Sequence, residues 1–480
     1  MGDRSFYMQQ FAMKQKLPYE AYSEFINNKA FVLESCGINV NADELNPRLF
    51  DFQRDIVRWA LAKGRAAIFA DCGLGKTIMQ LEWAEQIRRR TGGKVLILAP
   101  LAVSNQTKRE GEMFGIDVNI CRSQSDVTAD AVNITNYEKL DNFVGSEFTA
   151  VVLDESSILK AFAGKIRNQI INCFAKTPYK LACTATPAPN DFMELGNHSE
   201  FLGVMTRAEM LSMFFVHDGG ETSKWRLKGH AESLFWQWMS SWCVVVDNPQ
   251  KLGYKVDGYV LPELSIEQII VDGNEPVMAP LTLTERRDAR RDSLSERCSA
   301  AAELVNSSSE NWLVWCDLNA ESDMLTGLID GAVNVQGSDT AEHKINSMIG
   351  FANGGIKCLV TKPKIAGYGM NWQKCHNMIF VGLSDSFEAY YQAVRRCWRF
   401  GQSEKVNVYI IISAKEGPVK VNIERKQADN EKMKSQLVEL TKDITKRELK
   451  STCRISTPYE PNQCMTLPQW EEFINGNKRA

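Results

Sequence analysis

Ala70-Asp-Cys-Gly-Leu-Gly-Lys76-Thr77 is the stretch whose reading decides the fold of this chain. It fits Ala/Gly-x4-Gly-Lys-Ser/Thr, the pattern of a phosphate-binding loop. The run Arg65 to Phe69 before it reads as a strand, and Thr77 to Arg90 after it reads as a helix. That setting is what the chemistry requires. Main-chain N–H groups of the turn, around Gly73 and Gly75, and of the helix N-terminus face anionic phosphates. Lys76 is placed to reach the β- and γ-phosphates, and the Thr77 hydroxyl to bind Mg²⁺. The cofactors implied are therefore ATP and Mg²⁺.

Composition sets the outer bounds. At ~100–200 residues per domain, 480 residues make two to four domains. A net charge of −3 and a pI near 6.1 exclude a uniformly basic nucleic-acid binder, so any such contact must come from a local patch. The thirteen cysteines include no C-x-x-C pair and no Cys/His cluster, and read as reduced thiols rather than a zinc site or disulfide framework. The start, Met-Gly-Asp-Arg-Ser-Phe, carries no signal-peptide core, and no apolar run approaches the ~20 residues of a membrane span. The expectation is a cytoplasmic protein, in the host cytoplasm if phage-encoded, that does not engage a membrane.

Four regions follow along the chain. Residues 1–46 read as an accessory N-terminal segment. Residues 47–260 carry alternating apolar strands and helices, such as Val95 to Ala99 and Val151 to Leu153, which is the pattern of parallel α/β. Within them, about 200–258 breaks the alternation. It holds Phe214, Phe215, Trp225, Phe235, Trp236, Trp238 and Trp242 with a Gly219–Gly220 pair, and reads as a helical, aromatic-rich insertion. That insertion is either a packed subdomain or a stacking surface for unpaired bases. Residues 261–414 resume the alternation, with strands at Trp312 to Trp315, Ile356 to Val360, Met378 to Val381 and Val406 to Ile412. Residues 415–480 read as a charged helical tail, with Met433, Leu437, Leu440 and Ile444 at helical spacing. Arg286-Arg287 and Arg290-Arg291 read as a solvated basic helix face.

Around the loop, further groups have chemistry to offer. Val151-Val-Leu-Asp154-Glu155 is a strand ending in two carboxylates, Asp154 to hold Mg²⁺ and Glu155 to orient and deprotonate the attacking water. Gln53, upstream, carries an amide that can pair with an adenine edge, although on chemistry alone an exposed helix glutamine is the simpler reading. Thr184-Ala-Thr186-Pro187 follows the strand Lys180 to Cys183 and offers hydroxyls that can relay phosphate status. Gln392-Ala-Val-Arg395-Arg396-Cys-Trp-Arg399-Phe-Gly401-Gln402 packs three arginines and two glutamines into eleven residues. Arg396 and Arg399 share a helix face, and two guanidinium forks aimed at one point suit a triphosphate.

Together these stretches resemble superfamily 2 helicase-type motors, and among them the Snf2-like branch, over roughly 47–200 and 260–413. Gln53 falls at the Q-motif. Ala70 to Thr77 with Ile78-Met-Gln80 resembles motif I, Ile97 to Gln106 motif Ia, Ile134 to Glu138 motif Ib, Asp154-Glu155 motif II and Thr184 to Pro187 motif III. Trp312 to Asp317 sits at motif IV, Gly367-Tyr-Gly369-Met-Asn371 resembles motif V, and Gln392 to Gln402 is similar to motif VI, whose terminal Gly-Gln favours the Snf2-like branch. The chain looks like a minimal motor of the kind common in phages and mobile elements.

The resemblance implies two tandem RecA-like domains with parallel sheets. ATP would sit between Lys76, Asp154 and Glu155 on one side and Gln392, Arg396 and Arg399 on the other, with Gly369 also at the nucleotide. It implies a nucleic-acid-stimulated ATPase, acting as a monomer on double-stranded or branched DNA. Translocation along the duplex is the leading expectation, and strand separation on DNA or RNA the alternative. A third possibility is an ATP-gated recruitment subunit of a nuclease or methylase assembly, or one serving a replication or recombination partner. One departure stands out: where the family commonly reads DEAH, this chain reads Asp154-Glu-Ser-Ser157, so the histidine that couples nucleotide state to the rest of the motor is missing.

Overall fold

The structure, a computed structural model, describes residues 36–451 except 101–102, 161–163, 189–190, 219–220, 257–260, 273–282, 367–369 and 385. Fifteen strands are described, and all but two of them form two parallel sheets.

The first sheet contains β1 (Arg65–Ala70), β2 (Val95–Ala99), β3 (Val118–Ile120), β4 (Val132–Asn136), β5 (Ala150–Asp154), β6 (Tyr179–Thr184) and, after the hairpin strands β7 (Phe215–Asp218) and β8 (Glu221–Leu227), β9 (Cys243–Val246). Their order is β3-β4-β2-β5-β6-β1-β9. Because side chains alternate across a strand, Ala66 and Ile68 of β1 join the core on one face while Ala67 and Phe69 join the core on the other. Both faces are covered, as parallel sheets require. Flanking helices include α1 (Asp51–Lys63), α2 (Lys76–Thr91) and α3 (Ser104–Phe114).

The second sheet contains β10 (Leu264–Ile270), β11 (Trp312–Trp315), β12 (Ala332–Val335), β13 (Cys358–Thr361), β14 (Asn377–Val381) and β15 (Val406–Ile412), in the order β10-β15-β14-β11-β13-β12. It too has a core on each face, one around Trp315 and Trp372, the other around Cys298 and Val314. Between β14 and β15 lies the helix α4 (Phe387–Val394), and α5 (Gly417–Ser451) follows β15. Two parallel sheets in tandem, each buried on both faces, are the expected pair of RecA-like domains, called the first and second lobes below.

The aromatic segment departs from the sequence reading. It is not a helical insertion standing apart from the sheet. Its last strand, β9, pairs in parallel with β1 and completes the first sheet. Phe214, Phe215, Phe235, Trp236, Trp238 and Trp242 are all buried in the first-lobe core. Stacked ring edges such as Trp238 on Trp242, with centroids 5.3 Å apart, consume those surfaces internally, so they are not available to bases. The antiparallel hairpin β7–β8 stacks His217 on Trp225 with ring centroids 3.7 Å apart, and its Phe215, Trp225 and Leu227 pack on the same core.

The tail is a brace, and its buried stripe differs from the one expected. Leu437, Thr441, Thr445 and Leu449 are buried, spaced four apart, whereas Leu440 is 42% exposed. At 1.5 Å per residue, α5 is about 50 Å long. It begins after the last strand of the second sheet and buries Leu437, Val438 and Leu449 in the two cores of the first. Arg290 is also not solvated: it reaches Asp317 at 3.1 Å and Glu321 at 3.3 Å and donates to the Val381 and Leu383 carbonyls. The side chains of Arg286 and Arg287 lie outside the described residues, as do residues 1–35 and 452–480 of the terminal segments.

Candidate active site

The sheet order brings the separate motifs of the first lobe to one edge. β6 lies between β1 and β5, with Phe69 opposite Thr184 and Asp154 opposite Cys183. The phosphate loop, the acid pair and the Thr184 turn therefore emerge side by side at the carboxyl ends of three neighbouring strands, where α/β sheets place ligands.

The loop is built around two left-handed glycines, Gly73 (φ +87°) and Gly75 (φ +77°). Both are also pressed from outside. A Cβ on Gly75 would lie 2.3 Å from the Gln53 amide nitrogen, and one on Gly73 would lie 2.9 Å from the main-chain nitrogen of Phe400 in the second lobe. Gln53 is buried, not the exposed glutamine of the simpler reading. Its Oε1 accepts from the Phe50 N–H at 3.0 Å and its Nε2 donates to the Leu74 carbonyl at 3.0 Å, which ties α1 to the loop. Lys76 donates to the loop carbonyls of Ala70 at 2.9 Å and Asp71 at 3.3 Å.

Burial raises the pKa of Asp154, and Gln80, on α2, donates to its Oδ1 at 2.7 Å. Burial also pushes Glu155 up to about 6, against the pull of the Lys76 ammonium. Among the described residues Glu155 is the one non-glycine with positive φ, +51°, a conformation that costs energy and collects at functional sites. Thr184 Oγ1 donates to Glu155 Oε2 at 3.3 Å. Tyr137 donates to the Asp154 carbonyl at 2.6 Å from a fully enclosed position.

The second lobe faces this edge with α4 and the turn after it. Arg396 donates to the Gln392 carbonyl at 2.9 Å, to Gln392 Oε1 at 3.0 Å and to the Met370 carbonyl at 3.2 Å. Arg399 donates to the same Met370 carbonyl at 3.3 Å. Burial, and then the neighbouring Arg396 charge, lower Arg399 to about 10. The charge of Arg396 works to lower both Asp154 and Glu155, against the larger effect of burial, so its field reaches the acid pair from the second lobe. Gly369 lies outside the described residues.

Sequence reasoning left several participants without a role. Gln80 was visible in the motif but unassigned. Glu110, on α3, has its pKa raised by burial; it accepts from Gln106 Nε2 at 2.7 Å and senses the Arg399 charge. His198 stands 3.1 Å from Ser156 Oγ, and burial lowers it to about 4, so it is neutral. Arg395 donates to the Cys72 carbonyl at 2.8 Å and pairs with Asp71 at 3.2 Å. The nearest available signal was the run Arg395-Arg396 itself, in which the first arginine had no assigned target.

The site fits a magnesium nucleotide. The Nε of Arg399 and the Nε2 of Gln392 are buried donors with no hydrogen-bond acceptor, which phosphate oxygens would satisfy. Thr77 and Asp154 supply the sparse oxygen donors that Mg²⁺ takes alongside substrate phosphates. No cluster of three or more His, Cys, Asp or Glu occurs among the described residues, so a metal held by protein alone does not fit.

Comparison with known proteins agrees with this arrangement. Residues 46–189 match the family model described as "Type III restriction enzyme, res subunit", and residues 296–401 match "Helicase conserved C-terminal domain". The chain carries the two domains of a superfamily 2 helicase-type motor. The two family models fall one on each lobe of this motor, and the second ends at Gly401, inside the arginine motif. No curated protein sequence matches the motor. Among solved structures, a Sulfolobus solfataricus SWI2/SNF2 ATPase core in complex with dsDNA is similar over 88% of this chain and 100% of its own, at 15% identity and a TM-score of 0.41. A likeness of that degree assigns no function. No helix among the described residues is long and apolar enough to cross a membrane.

Proposed function

We propose that this motor hydrolyses ATP between its lobes to translocate along double-stranded DNA, in the manner of the Snf2-like branch. One observation carries the reading. The phosphate loop and acid pair belong to one lobe, the Gln392–Gln402 motif belongs to the other, and the two already stand in contact. Turnover at such a split site requires closure, so hydrolysis and lobe movement are one event.

The roles we assign within this reading are as follows. Gly73, Gly75 and Lys76 cradle the phosphates, Thr77 and Asp154 hold Mg²⁺, and Gln53, with Gly369, borders the nucleotide. Magnesium neutralises charge on the β- and γ-phosphates when bound. Glu155 is the base that takes a proton from the attacking water. Arg396 and Arg399, turning from the Met370 carbonyl toward the γ-phosphate, offset the charge that develops there, while Gln392 positions Arg396 through its carbonyl and amide oxygens. Gln402 serves differently: its amide donates to the Gln373 and Cys375 carbonyls, each at 3.0 Å, and so stitches the motif to the segment before β14. The motif's terminal Gly-Gln, supported by this stitching, favours the Snf2-like branch and hence duplex DNA. Domain limits of 47–260 and 261–414, flanked by 1–46 and 415–480, suit this division of labour.

The intact Lys76, Asp154, Glu155, Arg396 and Arg399 argue against an inert recruitment scaffold. The test is ATPase turnover with duplex DNA, single-stranded DNA and RNA in turn. Duplex DNA is expected to stimulate most. Stimulation by RNA alone would overturn the assignment.

A further inference from the structure

Ser157 stands where the family's coupling histidine would be, yet the position is not idle. Its hydroxyl is buried and donates to Glu388 Oε1 at 2.7 Å, and Lys160, three residues on, pairs with Glu388 Oε2. Glu388 lies in the second lobe, on the first turn of α4. Two more residues along that helix, and Arg395 at its C-terminal cap, also touch the first lobe. Tyr391 donates to Asp71 Oδ1 at 2.7 Å, the Cys72 thiol approaches Gln392 Oε1 at 3.8 Å, and Arg395 takes both the Cys72 carbonyl and the Asp71 carboxylate. Positions 388, 391, 392 and 395 are i, i+3, i+4 and i+7, a single helix face. One end of the face grips the segment following Asp154-Glu155 and the other end grips the phosphate loop. Arg396 follows directly.

We propose that this face of α4 is the inter-lobe coupling element of the motor, with Glu388 as a positioning residue that takes over the work of the missing histidine through Ser157 and Lys160. The inference rests on the motor reading above and deepens it. Ser156 supports the arrangement from the other side. Its hydroxyl is fixed to His198, which is packed edge-on against Phe69 of β1, so the turn between Glu155 and Lys160 is anchored in the first lobe by one serine and in the second by the next. Arg395 is held at the opposite end by an ion pair whose side chains are only 5% and 12% exposed. Burial alone would lower its pKa, but Asp71 and Tyr391 outweigh it and the net shift is upward. Arg395 is thereby committed to the loop, leaving Arg396 and Arg399 for the nucleotide.

A charge exchange tests this. Lys160→Glu and Glu388→Lys are each expected to lower kcat for ATP at least tenfold while KM changes less than threefold, and the double exchange is expected to return kcat to within threefold of the native value. Singles at the native rate, or a double no faster than the slower single, would overturn the proposal. Should a reversed charge prevent folding, as read by thermal melting, the neutral pair Lys160→Met and Glu388→Gln replaces it. The double is then expected to be no slower than the slower single, and multiplicative losses count against the proposal. A native rate indifferent to every nucleic acid refutes the motor reading instead, and the exchange is then judged on the basal rate by the same criteria.

Discussion

Glu155 concentrates the tension of the site. It adopts a left-handed backbone, its carboxyl is pushed up to about 6 by burial, and it receives the Thr184 hydroxyl. As a base it must be deprotonated, so activity is lost as pH falls through its pKa. The kcat/KM profile, which reports the free enzyme, is expected to show an acid limb with a midpoint near pH 6, belonging to the coupled Asp154–Glu155 pair. A profile flat from pH 5 to 8 would remove Glu155 from that role. On the opposite lobe, Arg399→Ala is expected to cut kcat by about 10³-fold, the low end for an arginine finger, while nucleotide titration shows affinity within threefold. The stretches that carry Lys76, Thr77, Asp154 and Glu155 were legible in the sequence as neighbours at one sheet edge because phosphate and magnesium chemistry admits few residue types at fixed spacing. Glu388 and Arg395 were not. Their partners, Ser157 and Asp71, lie far away in sequence, and an acid or arginine on a helix has no signature until the lobes are placed face to face.

At the scale of elements, the strands around the loop were read nearly to the residue, because β1, β2 and β5 are short apolar runs bounded by turns. The aromatic segment was misread for a definite reason. Its helix, hairpin and final strand each lack the repeating alternation, and β9 is only four residues long, so nothing local marks Cys243–Val246 as an edge strand beside β1. The tail was read as a helix, correctly, but with Leu440 on its apolar stripe; the buried line instead runs through two threonines, Thr441, whose hydroxyl returns to the Leu437 carbonyl at 2.6 Å, and Thr445. Leu437→Ala is therefore expected to destabilise the protein by about 2–4 kcal/mol, as for other buried leucines, and Leu440→Ala by less than about 0.5 kcal/mol, as for surface positions. Thermal melts of the two variants make the comparison, and equal losses would contradict the brace. Gly75→Ala, with a left-handed φ and Gln53 at 2.3 Å, is expected to abolish nucleotide binding in a chain that still folds, read by titration and melting together.

For the whole molecule, contacts between the lobes among the described residues include the face of α4, the approach of Phe400 to Gly73, and α5, which leaves the second lobe and buries itself in the first. The first two lie at the nucleotide cleft and can open with its contents. The brace is fixed instead by apolar burial of Leu437, Val438 and Leu449 in the first lobe. If the motor works on DNA as proposed, its net charge of −3 requires local contacts to phosphates, and its DNA-stimulated rate is expected to fall steeply with salt while its basal rate does not. The central claim, that hydrolysis at a split site drives movement along an intact duplex, is tested most directly by displacement of a third strand from a DNA triplex. The native protein is expected to release the third strand only with ATP and magnesium, leaving the duplex paired, and Lys76→Ala is expected to release none. Robust ATP turnover with the third strand still bound, or release of a strand of the duplex itself, would contradict the account.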